Sequence, residues 1–127
     1  MSKQIKPTDS ELEILNILWA KGPSTVREIH EVLEQNKEAG YTTSLKLLQI
    51  MHEKGHLGRQ KSGKLHLYKA IVSQENTQQQ MIDRMIETVF SGSAAGLVMS
   101  ALGTRKSSKG EIKAIREYLD QLEKGDK

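Results

Sequence analysis

The 127-residue sequence predicts a mainly α protein with a small β-hairpin wing, in two parts: a winged helix-turn-helix domain over residues 1–72 and a helical dimerisation domain over residues 73–127. Three observations carry this expectation. Apolar residues recur at three- and four-residue steps through most of the chain, the period of half-buried helices. Between Leu57 and Ala70 the pattern changes to the alternation of strands, around a Lys61-Ser62-Gly63-Lys64 turn. Positive charge gathers on that hairpin and on the helix before it. Residues 39–72 carry Lys46, Lys54, Arg59, Lys61, Lys64 and Lys69 against Glu53 alone, a balance of +5. Residues 1–38 balance at −2, and residues 73–127 carry eight charges of each sign.

Helix one opens at Thr8 and Glu11, where hydroxyl and carboxylate can each accept the other's backbone N–H as a capping box. Leu12, Leu15, Leu18 and Trp19 give it one buried face, and Lys21-Gly22-Pro23 ends it. Thr25-Val26-Arg27-Glu28 repeats the capping pattern for helix two, whose apolar face is Val26, Ile29, Val32 and Leu33. Asn36 to Gly40 is a polar turn.

Helix three starts near Tyr41 and stops at Gly55. Ser44, Leu47, Leu48 and Met51 form its inward stripe, while Thr42, Thr43, Lys46 and Gln49 crowd the other face near its start. Small hydroxyls, a cation and an amide on an exposed helix start suit the DNA major groove, where they reach phosphates and base edges. The strands follow at Leu57–Gln60 and Leu65–Ala70, with Gly63 at positive φ in the turn. Leu65, Leu67 and Lys69 face one side of the hairpin and His66, Tyr68 and Ala70 the other.

Ser73 caps helix four, which carries Met81, Ile82, Met85, Ile86 and Val89 until Ser91-Gly92-Ser93 breaks it. Ala94 to Leu102 is a short apolar helix, and Gly103 to Ser107 a polar, basic loop. Ser108-Lys109-Gly110-Glu111 caps the last helix, where Ile112, Ile115, Leu119 and Leu122 make a seam like coiled-coil a/d positions. About 50 residues make a thin core alone, so these stripes need a partner. Either the N-terminal domain or the same helices of a second chain can supply it. Two-fold dimers are the commonest soluble oligomers, and helix-turn-helix proteins present two recognition helices to a dyad. The expected dimer interface therefore buries Met85, Val89, Leu97, Val98, Ile115, Leu119 and Leu122.

Composition excludes several classes of function. There is no cysteine, hence no disulfide and no thiolate metal site. No apolar run nears the length of a membrane span, and the first residues lack the apolar stretch of a signal peptide, so a cytoplasmic protein without membrane insertion is expected. No nucleotide-loop, serine-hydrolase or zinc-protease motif occurs. His52 and His56 are four apart, but Gly55 ends the helix between them. The expectation is a protein that is not an enzyme, with no catalytic residue, no cofactor and no metal.

The expected partner is double-stranded DNA bearing an operator dyad. Thr42, Thr43 and Lys46 are the expected recognition surface, with Gln49 at its edge. Arg59, Lys61 and Lys64 on the wing contact phosphate, and Ser24 and Thr25 add a contact at the start of helix two. A winged-helix module that binds protein is the rival reading, against which the +5 balance counts. A repressor responding to a small molecule bound between the domains is a second rival.

The chain resembles the BlaI/MecI/CopY family of penicillinase-repressor-type regulators, and the resemblance covers nearly all of it. The matching segments are Thr8-Asp9-Ser10-Glu11-Leu12-Glu13-Ile14-Leu15 with Leu18-Trp19, then Gly22-Pro23-Ser24-Thr25-Val26-Arg27-Glu28, then Gly40-Tyr41-Thr42-Thr43, Gln49 and Glu53-Lys54-Gly55. Leu67-Tyr68-Lys69-Ala70, Ser91-Gly92-Ser93 and Leu97-Val98 complete them. The resemblance implies a dimeric repressor on palindromic operators, often of TACA/TGTA type. In the penicillinase branch it also implies a membrane sensor protease that triggers cleavage at an Asn-Phe bond. Here that position reads Ser100-Ala101, a departure that counts against cleavage there. The cysteine cluster of the copper-responsive branch is absent from the sequence.

Overall fold

Six helices and one hairpin follow one another in a computed structural model that describes residues 6–35, 38 and 40–125. They fall into two compact units, the first ending at Ile82 and the second starting at Asp83. The polar turn expected over Asn36–Gly40 lies largely outside the described residues.

The first unit holds α1 (Asp9–Lys21), α2 (Val26–Glu34), α3 (Tyr41–Glu53), β1 (Leu57–Ser62) and β2 (Leu65–Ala70). Both capping boxes form in full. The Thr8 hydroxyl accepts from the Glu11 N–H at 3.1 Å and Glu11 Oε1 from the Thr8 N–H at 2.9 Å. Thr25 and Glu28 repeat this at 3.2 and 2.8 Å. The core gathers Ile14, Leu15, Leu18, Ile29, Leu33, Leu48, Met51, Leu57 and Tyr68. Ile14 and Ile17 are buried too, beyond the single α1 face that the spacing predicts, because α1 packs against both α2 and β2.

The hairpin pairs Leu57 with Ala70 through Ser62 with Leu65. β1 thus runs two residues beyond its expected end, and the loop shrinks to Gly63-Lys64, with Gly63 at φ 64°. Glycine in the first central position is what a two-residue turn matched to strand twist requires. The wing is fixed to the domain by a further bridge, in which Ser24 and Tyr68 exchange backbone hydrogen bonds of 2.9 and 2.8 Å. Trp19 Nε1 donates to the Val72 carbonyl at 3.0 Å, which ties the chain leaving the wing back to α1.

Glu11 is 1% exposed, a carboxylate inside the domain. Lys54, the residue that caps α3, donates to its Oε2 at 2.8 Å. Burial works against the charged form, but the Lys54 and Thr8 hydrogen bonds and the charge of Lys54 outweigh it and hold the Glu11 pKa below its usual range. One carboxylate therefore joins the start of α1 to the end of α3.

α4 (Gln74–Thr88) starts with the Ser73 hydroxyl accepting from the Asn76 N–H at 3.0 Å. The boundary between the units falls within this helix. Its end is closed by the Gly92 N–H on the Ile86 carbonyl at 2.8 Å, with Ser91 at φ 50°. α5 (Ala94–Thr104) is capped by Ser93 and α6 (Lys109–Glu123) by Ser108. α5 runs two residues past Leu102, where a loop was expected, and the Thr104 hydroxyl donates to the Ser100 carbonyl at 2.9 Å within that last turn. No residue of α5 or α6 is buried. Met85, Val89, Val98, Leu119 and Leu122 are exposed, while Leu97 and Ile115 are half-buried.

The Glu11 link has a pH signature. Its folded pKa is depressed, so its contribution is present above about pH 4.3, the ordinary glutamate value, and is lost as pH falls through the lower folded value. Glu11→Gln is expected to destabilise the intact chain by about 1.5–3 kcal/mol at neutral pH, the worth of a hydrogen bond to a charged group. Urea unfolding from pH 7 to pH 3 should bring the variant and the parent together in acid. Stability curves that stay parallel over that range would contradict the assignment.

Candidate nucleic-acid interface

α3 presents its outer face because both of its ends are fastened on the inner one. Ser44, Leu48 and Met51 are buried and Leu47 half-buried. At the start of the helix the Ser44 hydroxyl lies 3.0 Å from His30 Nδ1, a buried contact between α2 and α3. The other ring nitrogen of His30 lies 3.4 Å from Glu34, and its ring meets Tyr41 edge-on at 5.4 Å. At the end of the helix Lys54 reaches Glu11. The sequence pattern places Ser44 in an apolar stripe but does not reveal His30 as its partner, because the two are 14 residues apart.

Thr42, Thr43, Lys46 and Gln49 are all exposed, and the first turn of α3 contains no acid. Arg59, Lys61 and Lys64 are exposed on the wing. Arg59 and Lys61 stand two apart on β1 and so share one face of the hairpin. Ser24 is placed differently from its expected role. It is 2% exposed, its hydroxyl donates to the Gly22 carbonyl at 2.9 Å, and its backbone is bridged to Tyr68. Its hydroxyl is thus engaged within the domain, and its backbone pins the wing. Thr25 stays half-buried at the α2 cap, where its backbone N–H and hydroxyl hold the Glu28 pKa below its usual range.

A cleft of about 390 Å³ lies within the first unit, between the start of α2, α3 and the wing. It brings together Thr25, Gln49, Arg59 and Lys64 of the expected set. It also recruits Arg27, Tyr41 and His66, which the sequence reading did not select. Arg27 lies in a run of helix-two caps that reads as local structure, and only the fold turns it toward the wing. Among the described residues no three His, Asp or Glu side chains gather to hold a metal, and no helix is long and apolar enough to cross a membrane.

A surface of small hydroxyls and cations, on a helix followed by a basic hairpin, is chemically equipped to bind a polyanion and to read hydrogen-bonding edges. Sequence comparison with known proteins points the same way. A sequence model described as penicillinase repressor matches residues 7–121. The methicillin resistance regulatory protein MecI of Staphylococcus aureus strain N315 is 24% identical over 120 residues, covering 94% of this chain and 98% of that protein. The transcriptional regulator BlaI of Mycobacterium tuberculosis strain H37Rv is 26% identical over 127 residues, covering 98% of this chain and 91% of that one. A solved structure of a Lactococcus lactis ZitR mutant aligns at a TM-score of 0.48 with 17% identity, over 100% of this chain and 80% of that chain.

Proposed function

This chain belongs to the penicillinase repressor family, whose members are DNA-binding transcriptional repressors, and from that premise we propose that it acts as a homodimer on a palindromic operator. In this reading α3 reads base edges through Thr42, Thr43 and Lys46, with Gln49 at the margin. Arg59, Lys61 and Lys64 grip the phosphates beside the groove, and Thr25 adds a contact at the start of α2. The observation that carries it is the exposed first half of α3, which has no acid in its first turn, while the helix is bonded to His30 through Ser44 and to Glu11 through its cap Lys54. A protein-binding winged helix would have no need of six cations against one acid over residues 39–72.

The dimer rests on separate support. Residues of α5 and α6 remain unburied within one chain, including Val98, Leu119 and Leu122. A second copy can cover such side chains, and linking two half-site binders raises the effective concentration of the second. Residues 73–127 are accordingly proposed as the dimerisation domain and residues 1–72 as the DNA-binding domain. A membrane sensor protease is the further partner that the family resemblance brings. Ser100-Ala101 lies inside α5, so a protease would have to unwind that helix first. The segment from Arg105 to Ser108 stands outside helices and offers an easier cut.

Replacing Thr42, Thr43 and Lys46 together with alanine is expected to weaken operator binding and relax base preference, since each base contact is worth about 1–3 kcal/mol. Binding selection on randomised duplexes measures both. A folded triple variant with parental affinity and preference would falsify the recognition surface.

Lys64→Ala is expected to weaken binding to every sequence about equally and to lower the salt slope by about one unit. Titrations across salt concentrations check this, and an altered base preference with the slope unchanged would contradict it.

Sedimentation of the intact chain should give twice the mass of one chain. Leu119→Lys combined with Leu122→Lys should give monomers of unchanged helicity, because both side chains are exposed in the single chain. A monomeric parent at micromolar concentration would sink the dimer.

A further inference from the structure

We propose that the cleft between α2, α3 and the wing is a binding site for a small aromatic anion, and that its occupation excludes DNA. The walls are apolar to a degree that phosphate binding does not call for. Val26, Tyr41, Leu45, Leu65 and Tyr68 all line the cleft. Leu65 is 60% exposed and Tyr41 45% exposed, two large apolar side chains left open at the same place.

The rim supplies the complementary charge. Arg27, Arg59 and Lys64 come from α2, β1 and the hairpin turn, and no acid is among the lining residues. The capping box turns the Glu28 carboxylate back onto the Thr25 N–H, so the acid next to Arg27 in sequence is engaged at the helix end. Guanidinium forks match a planar carboxylate, which an ammonium alone does not. A volume of about 390 Å³ lies within the roughly 300–1,000 Å³ of small-molecule sites. A flat ring carrying one carboxylate satisfies both halves of the cleft: the ring covers Tyr41 and Leu65 while the carboxylate meets Arg27 and Arg59. A phosphodiester satisfies only the cations.

Exclusion follows from shared residues. Gln49, Arg59 and Lys64 line this cleft and also belong to the operator surface proposed above, so a bound anion takes them from DNA. The exclusion rests on that reading; the binding of the anion does not.

The experiment titrates the intact chain with 2-naphthoate, with uncharged 2-naphthamide and with inorganic phosphate, following backbone amides by NMR. Saturable shifts are expected at Leu45, Gln49 and His66, with 2-naphthoate binding about tenfold tighter than either control. Arg27→Ala and Leu65→Ser, both at exposed positions, should each weaken it about fivefold or more. Phosphate binding as tightly as 2-naphthoate would overturn the site, as would shifts confined to the exposed apolar residues of α5 and α6. A second arm measures displacement of a mixed-sequence duplex at low salt. Saturation of the cleft with undiminished DNA affinity would overturn the exclusion alone, and leave the failure with the assigned operator surface.

Discussion

Glu11 is a carboxylate where water barely reaches, and the orientation of α3 depends on it. An unpaired charge there would be strongly unfavourable, so the site forms only if Lys54 and the Thr8 N–H come to it. Lys54 caps α3 and Thr8 caps α1, so satisfying one charge fixes the exit of one helix against the entry of another. The His30 contact to Ser44 does the same at the opposite end of α3 through α2. Two polar links at the two ends of one helix leave it a single rotation about its axis. Apolar packing of Leu48 and Met51 alone would tolerate small rolls, since hydrophobic contact is not directional. The exposed set of Thr42, Thr43, Lys46 and Gln49 is therefore the geometric remainder of one buried pair, His30 with Ser44, and one part-buried pair, Lys54 with Glu11.

The wing is held by the same kind of polar link. Ser24 lies between α1 and α2, and its isolated backbone bridge to Tyr68 ties that connection to β2. Tyr68 is buried in the core, so the hairpin cannot swing without breaking both the bridge and the packing. This rigidity sets the width of the cleft between α3 and the wing, and thereby the spacing of Arg27, Arg59 and Lys64. The cation spacing is thus a property of the core, although none of the three cations belongs to it.

Much of this was legible in the sequence, and the remainder failed for identifiable reasons. The capping boxes at Thr8 and Thr25 and the stop at Gly55 are local signals, and local signals read well. The hairpin is legible but its loop reads too wide, because Lys61 and Ser62 look like turn residues until the pairing with His66 and Leu65 is known. Glu11 reads only as a cap; its burial is a tertiary fact, and its partner is a lysine 43 residues away. Ser24 reads as an anion contact because it stands at the start of α2, where free N–H groups favour anions, and only the fold reveals it as buried and bridged to Tyr68. The cleft was invisible because Arg27, Tyr41 and Leu65 lie on three elements whose approach no periodicity encodes.

The two units differ in what holds them. In the first, buried apolar residues from three helices and both strands enclose Glu11, His30 and Ser44, so the unit has a core of its own. In the second, capping bonds close the helices, but their apolar faces stay open. A helix of such composition gains most of its stability from packing rather than from propensity. The second unit is thus the part whose stability depends on what covers it. Regulation of a DNA-bound repressor has most leverage at the least self-sufficient part, because there a small change in covering is a large fraction of the local stability. Cutting the segment between α5 and α6 would detach the Ile115, Leu119 and Leu122 seam without touching α3 or the wing. A ligand in the α2–α3–wing cleft would act from the opposite direction, on the recognition surface with its core intact.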